Sequence, residues 1–149
     1  MGEQVFPMIP ATGNAAYWIM IPVFLLMLGG MLLVGFSLRA AKNTEFILAG
    51  GSLQIKGDIY ARKIPAEKIR WSEARKVDLQ NEPALKPSYK TVGTAMPGYN
   101  AGWFRLKNGS KALLALTDKS SVVYIPTTED YSILLSVADP EAFLAAARR

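Results

Sequence analysis

The sequence predicts a mainly β domain behind one N-terminal transmembrane helix, and three observations carry that expectation. Residues 15–38 (AAYWIMIPVFLLMLGGMLLVGFSL) hold no charge. Beyond them, short stretches rich in Ile, Leu, Val, Tyr and Phe are punctuated by Gly, Pro, Asn and Asp, the pattern of successive strands and turns. The final residues, DPEAFLAAARR, switch to a helical period. The chain therefore divides into an N-terminal segment 1–14, a span 15–38, a juxtamembrane linker 39–44 and a domain 45–149.

As a helix, the 24 residues of the span reach about 36 Å, enough to cross a hydrocarbon core of about 30 Å. A buried core helix of that length would carry a polar stripe, and none is present. Glu3 is the only charged residue ahead of it, so the basic start of a cleaved signal peptide is missing, and Leu38 and Arg39 spoil the small-x-small cleavage pattern. An uncleaved anchor follows, with Tyr17 and Trp18 at one interface and Arg39 and Lys42 at the other. All 17 Lys and Arg lie beyond the span. The positive-inside rule then predicts a single-pass protein of the cytoplasmic (inner) membrane, N-terminus outside and domain inside.

In the domain, EFILA (45–49) and LQIK (53–56) flank Gly50-Gly51-Ser52 and predict a hairpin. IYARKI (59–64) is a third strand, stopped by Pro65. PAEKI (65–69) suits one helical turn, and an irregular extended run then reaches Val77 and Leu79. Residues 80–97 hold Pro83, Pro87 and Pro97 with little apolar periodicity, which predicts a long loop. Residues 99–106, 111–116, 122–125 and 131–137 are further strands. At the end, Asp139 is a suitable N-cap, Pro140 fits the first helical position, and Arg148 and Arg149 suit the negative end of the helix dipole.

The stretch GYNAGWFRLKNGSKALLAL (98–116) admits three interpretations. NGS is a glycosylation acceptor only in an extracytoplasmic lumen, which the charge asymmetry excludes for Asn108. A phosphate-binding loop needs GxxxxGK and then Ser or Thr, and Gly109-Ser110-Lys111 has the order wrong. What remains is a tight hairpin with Asn108 and Gly109 both at positive φ, as a type I′ turn requires.

The chain has no Cys and no His. Disulfides, thiolate zinc sites, His-ligated metals and the Ser-His-Asp and Cys-His arrangements are excluded. Ser88-Tyr89-Lys90 is the best remaining nucleophile arrangement, but its Lys lies in a polar stretch where nothing desolvates it. Glu129-Asp130, the one adjacent acidic pair, lacks the further carboxylates of a cation cage. The expectation is a protein that is not an enzyme and takes no cofactor.

GYNAGWF, NGSKALLALTDKSSVVYIPT and SILLSVADPEAFL resemble the bacterial pleckstrin-homology (PH) domain families, which often follow membrane spans. The matching positions are Gly98, Tyr99, Gly102 and Phe104, with Asn108 and Gly109 in the turn between strands. Thr117, Val122, Ile125 and Thr127 follow, and then Asp139, Pro140 and Phe143. The resemblance implies a PH-like antiparallel barrel of seven to eight strands capped by a C-terminal helix, and a binding or assembly role rather than a reaction. Eukaryotic PH domains that hold phosphoinositides carry Lys and Arg in the first hairpin, whereas here its turn is the uncharged AGGS, so headgroup-specific recognition does not carry over.

The expected role is a non-catalytic protein-interaction or assembly module at the membrane, through a partner or through self-association. Two alternatives stand beside it. Arg62, Lys63, Lys68, Arg70, Arg75 and Lys76 would contact anionic headgroups in a peripheral lipid-binding module. Gly29, Gly30, Gly35 and Ser37 would let the span pack closely as an accessory subunit of a larger membrane complex. The net charge of +6 on residues 39–149 is modest, and no one-sided basic stripe or motif points to nucleic acid.

Overall fold

The computed structural model describes Gln4 and residues 13–149, so the predicted segment 1–14 lies outside the described residues except for Gln4, Gly13 and Asn14. Two compact units divide between Ser37 and Leu38. Helix α1 (Ala15–Asn43) forms as predicted and continues through most of the expected linker 39–44. Within it, Tyr17–Phe36, 20 residues of mean hydropathy 2.5, is long and apolar enough to cross a membrane. Its large apolar side chains are exposed, which a soluble core helix would not tolerate.

The domain is mainly β. Its strands are β1 (Glu45–Ala49), β2 (Ser52–Lys56), β3 (Arg62–Ile64), β4 (Arg75–Val77), β5 (Pro87–Met96), β6 (Tyr99–Leu106), β7 (Lys111–Leu116), β8 (Val122–Pro126) and β9 (Tyr131–Ser136), followed by α2 (Pro140–Ala147). They make a three-stranded sheet, β1-β2-β3, and a six-stranded sheet, β4-β8-β9-β7-β6-β5, rather than one closed barrel. Pairing is antiparallel except between β7 and β9, which run parallel. The third strand is shorter than the predicted 59–64, because turn residues before Ala61 interrupt it: the Ala61 N–H donates to the Asp58 carbonyl.

One face of the six-stranded sheet (Leu113, Ala115, Val123, Ile125, Ile133, Leu135) packs with Leu53 and Ile55 of β2, Ile64 of β3, and Phe143 and Leu144 of α2. The opposite face (Val77, Phe104, Leu106, Ala112, Leu114, Leu116, Val122, Leu134) packs on Leu79 and Leu85. β7 is thus buried on both sides, which is why KALLAL reads as a continuous apolar run. Each fully buried Leu or Ile stabilises the fold by about 1.5–3 kcal/mol. α2 is placed by its cap: Asp139 Oδ1 accepts from the Ala142 N–H at 3.0 Å, Pro140 takes the first turn, and Arg148 Nη2 donates to the Ala74 carbonyl at 2.7 Å.

β4 and β5 follow one another in the chain but occupy opposite edges of the sheet. Residues 78–86 therefore cross its face as a strap. The Leu79 N–H donates to the Lys119 carbonyl (2.9 Å), and the Asn108 and Lys107 N–H groups donate to the Ala84 (3.0 Å) and Lys86 (2.9 Å) carbonyls. Leu79, fully buried, and Leu85 make the strap part of the core.

Two turn expectations are corrected. The predicted loop 80–97 is mostly strand: β5 begins at Pro87, where no ladder N–H is required, and ends before Pro97-Gly98, with Gly98 at φ 77° as a type II turn asks. After β6 a three-residue loop, 107–109, lies between the bonded Leu106 and Ser110, with only Gly109 at positive φ, 84°. The Gly109 N–H donates to the Leu106 carbonyl and the Leu106 N–H to the Ser110 carbonyl, both at 2.9 Å, the pattern of a type I turn closed by a glycine bulge. Asn108 stays at ordinary φ because its backbone is bonded to the strap and its Oδ1 accepts the Ser110 N–H (3.0 Å) and hydroxyl (2.6 Å). The type I′ turn sits instead at Gly50 (φ 55°) and Gly51 (φ 76°), between the paired Ala49 and Ser52.

Candidate functional site

Sheet edges are where a β domain offers unpaired backbone groups, so the four edges decide where this one can bind another chain. β3 and β4 are three residues each and carry Arg62, Lys63, Arg75 and Lys76. β1 has five residues and opens on Glu45. β5 has ten, with Lys90 its single charge. Tyr89 and Val92 project from it 59% and 62% exposed, the two large apolar side chains the six-stranded sheet leaves in solvent.

β5 is held to β6 by a register from Pro87↔Leu106 to Met96↔Tyr99, shifted between Pro87 and Tyr89 and between Lys90 and Val92. These irregularities leave Ser88 and Thr91 without ladder partners, and the Thr91 hydroxyl donates to the Trp103 carbonyl at 2.9 Å instead. Beyond them Gly93 sits opposite Gly102 and the pairing runs regularly to the Pro97-Gly98 turn.

Of the six basic residues singled out in the sequence, Arg62, Lys63 and Lys68 line one concavity together with Glu129 and Tyr131, and four of the six enter ion pairs. Lys68 Nζ reaches Glu129 Oε1 at 2.6 Å, Arg70 reaches Glu73 at 3.6 Å, and Lys76 lies 4.0 Å from Glu141. Arg75 holds Glu82 through both guanidinium Nη atoms at 2.6 and 2.7 Å and stands 5.6 Å from the Tyr124 ring centre. Hydrogen bonds from these cations hold the Glu129 and Glu82 carboxyls below the usual range. Arg62 lies over the Trp103 ring, 5.2 Å from its centre, and Lys63 is exposed on β3 beside Pro65.

Trp103 is a feature the sequence did not single out. Lys111 Nζ also stands 4.4 Å from its ring centre, and Tyr131 meets it edge-on at 5.0 Å. The β6–β7 register brings Lys111 within two positions of the Trp103 partner Leu113, a proximity that the hairpin turn alone could have indicated.

The motif positions fall in turns, core and strand ends. Gly98 and Gly109 make turns, and Gly102, at φ 107°, lets β5 pass close. Phe104, Val122, Ile125 and Phe143 are core, and Phe143 meets Trp71 edge-on at 6.2 Å. Thr117 N–H donates to Ser136 Oγ at 3.0 Å, while the buried Thr127 hydroxyl donates to the Tyr131 carbonyl at 2.5 Å. Burial, and after it the nearby Asp58 carboxylate, raises the pKa of Tyr99.

Among the described residues no hydrogen bond joins Ser88 to Lys90, and no three carboxylates gather as a cation site. The family model described as "Bacterial PH domain" matches residues 44–149. Neither the search of curated proteins nor that of solved structures returned a match.

Proposed function

The chain belongs to the bacterial PH domain family, and on that premise we propose that it is a non-catalytic interaction module, anchored by α1, that holds a protein partner or a second copy of itself at the cytoplasmic face of the membrane. One observation carries the reading. β5 is a ten-residue edge strand with two exposed apolar side chains and a single charge, a template to which an extended segment adds by backbone hydrogen bonds. The excess of Lys and Arg after α1 supports the cytoplasmic orientation. The ion pairs of Lys68, Arg70, Arg75 and Lys76 weigh against a broad lipid-facing patch, because each cation already has a carboxylate.

Site-specific photo-cross-linking in intact cells tests it. Photoreactive residues at Tyr89 and Val92 give discrete adducts, a control at Glu141 on α2 gives none, and Thr94→Lys weakens the adducts. Adducts equally abundant from all three positions would sink the pairing-edge reading.

A further inference from the structure

A groove of about 450 Å³ bordered by β5 and the strap is lined by Lys86, Lys90, Lys107 and Lys119. That volume lies in the range of small-molecule sites, about 300–1,000 Å³. Its floor is apolar, from buried Leu79 and Phe104, and Ser88 and Asn100 add hydrogen-bonding groups. We propose that this groove binds a small organic anion carrying two or more phosphate charges on an apolar body.

Charge is the first argument. Among the described residues no acidic side chain lines the groove and none of its four lysines enters an ion pair, in contrast to Lys68, Arg70, Arg75 and Lys76. The carboxylates closest in sequence are engaged elsewhere. Asp78 accepts from the Gln80 N–H (2.8 Å) and Asn81 Nδ2 (2.9 Å), Glu82 is held by Arg75, and Asp118 accepts from the Ser120 N–H (2.8 Å) and hydroxyl (2.7 Å). Four like charges around one concavity repel one another, and a multivalent anion converts that repulsion into attraction.

Preorganisation is the second. The lysines come from the strap's end, β5, the β6–β7 turn and the β7–β8 loop. The bonds from Lys107 N–H to the Lys86 carbonyl and from Leu79 N–H to the Lys119 carbonyl, both 2.9 Å, fix three of these segments to one another. The backbone positions are therefore set before any ligand arrives, which lowers the ordering cost of binding. The apolar floor selects an organic body over a bare inorganic ion.

Titration calorimetry on the full chain in mild non-ionic detergent, at physiological salt, tests the proposal with adenosine triphosphate and tripolyphosphate as probes. Adenosine triphosphate binds saturably and tripolyphosphate more weakly. Lys107→Gln with Lys119→Gln weakens binding about tenfold or more by removing two charge-assisted contacts. Lys107→Arg with Lys119→Arg retains it, which separates lost charge from lost fold, and Arg62→Gln with Lys63→Gln leaves it unchanged. Vesicles bearing phosphate-monoester lipids supply the second arm: competition with the nucleotide assigns the phosphate to a lipid headgroup, and its absence to a soluble ligand. No saturable binding to either source, or equal weakening by the Arg62 and Lys63 pair, overturns the proposal.

Discussion

Gly93 and Gly102 face each other across β5 and β6 with no room for a side chain on either. A Cβ on Gly93 would lie 2.4 Å from the Ala101 carbonyl oxygen, and one on Gly102 would lie 2.5 Å from the Val92 oxygen and 2.6 Å from the Gly93 Cα. Gly102→Ala combines that clash with a φ of 107° and should cost about 1–3 kcal/mol or more. Gly50→Ala, at φ 55° in open space, should cost less. Denaturant unfolding of the full chain in detergent, followed by Trp fluorescence, compares them; equal losses would mean that the close approach of β5 matters little.

Among the described residues the buried Tyr99 hydroxyl makes no hydrogen bond, and the Asp58 carboxylate is the polar group near enough to help raise its pKa. Tyr99→Phe removes an uncompensated polar group and keeps the ring, so stability should be unchanged or higher. Tyr99→Ala should cost about 3–5 kcal/mol through the cavity it leaves. A clear loss in Tyr99→Phe would reveal a partner for the hydroxyl.

Glu129 and Glu82 have carboxyls held below their ordinary pKa by Lys68 and Arg75. A depressed folded pKa means that the unfolded chain takes up protons first as pH falls. The pairs therefore contribute fully above the ordinary Glu value of about 4.3, and their contribution disappears as pH drops through the lower folded values. Glu129→Gln with Glu82→Gln should lower stability at pH 7 and flatten its decline below pH 4. Parallel pH profiles for wild type and variant would contradict this.

Topology is testable because the chain has no Cys. With the N-terminus outside, an impermeant thiol reagent applied to intact cells labels Gly13→Cys and spares Ser110→Cys. The opposite pattern would reverse the orientation.

Elements announced by local chemistry were legible: the uncharged span, the Gly50-Gly51 hairpin, and α2 from Asp139-Pro140. β5 was not, because an exposed edge strand needs no apolar alternation and its register shifts break the period that remains. Tyr89, Thr91, Val92 and Thr94 between Pro87 and Pro97-Gly98 were the available sign. The ion pairs and the lysine groove were illegible for a different reason. Lys68 and Glu129 stand 61 positions apart, and only the sheet order brings such residues together.

The strap also sets an order of assembly. β5, β6 and β7 close through short hairpins, whereas β4 must await β8, to which it pairs at Arg75↔Tyr124. Contacts close in sequence form with less loss of chain entropy, so the β5-β6-β7 meander is the natural nucleus and β4 docks last, threading its strap across a face already built. Late, peripheral pairing is also the first to open. In native-state hydrogen exchange the amides of Lys76 and Val77 should therefore exchange ahead of those of Leu113 and Leu114, and the reverse order would place the nucleus elsewhere.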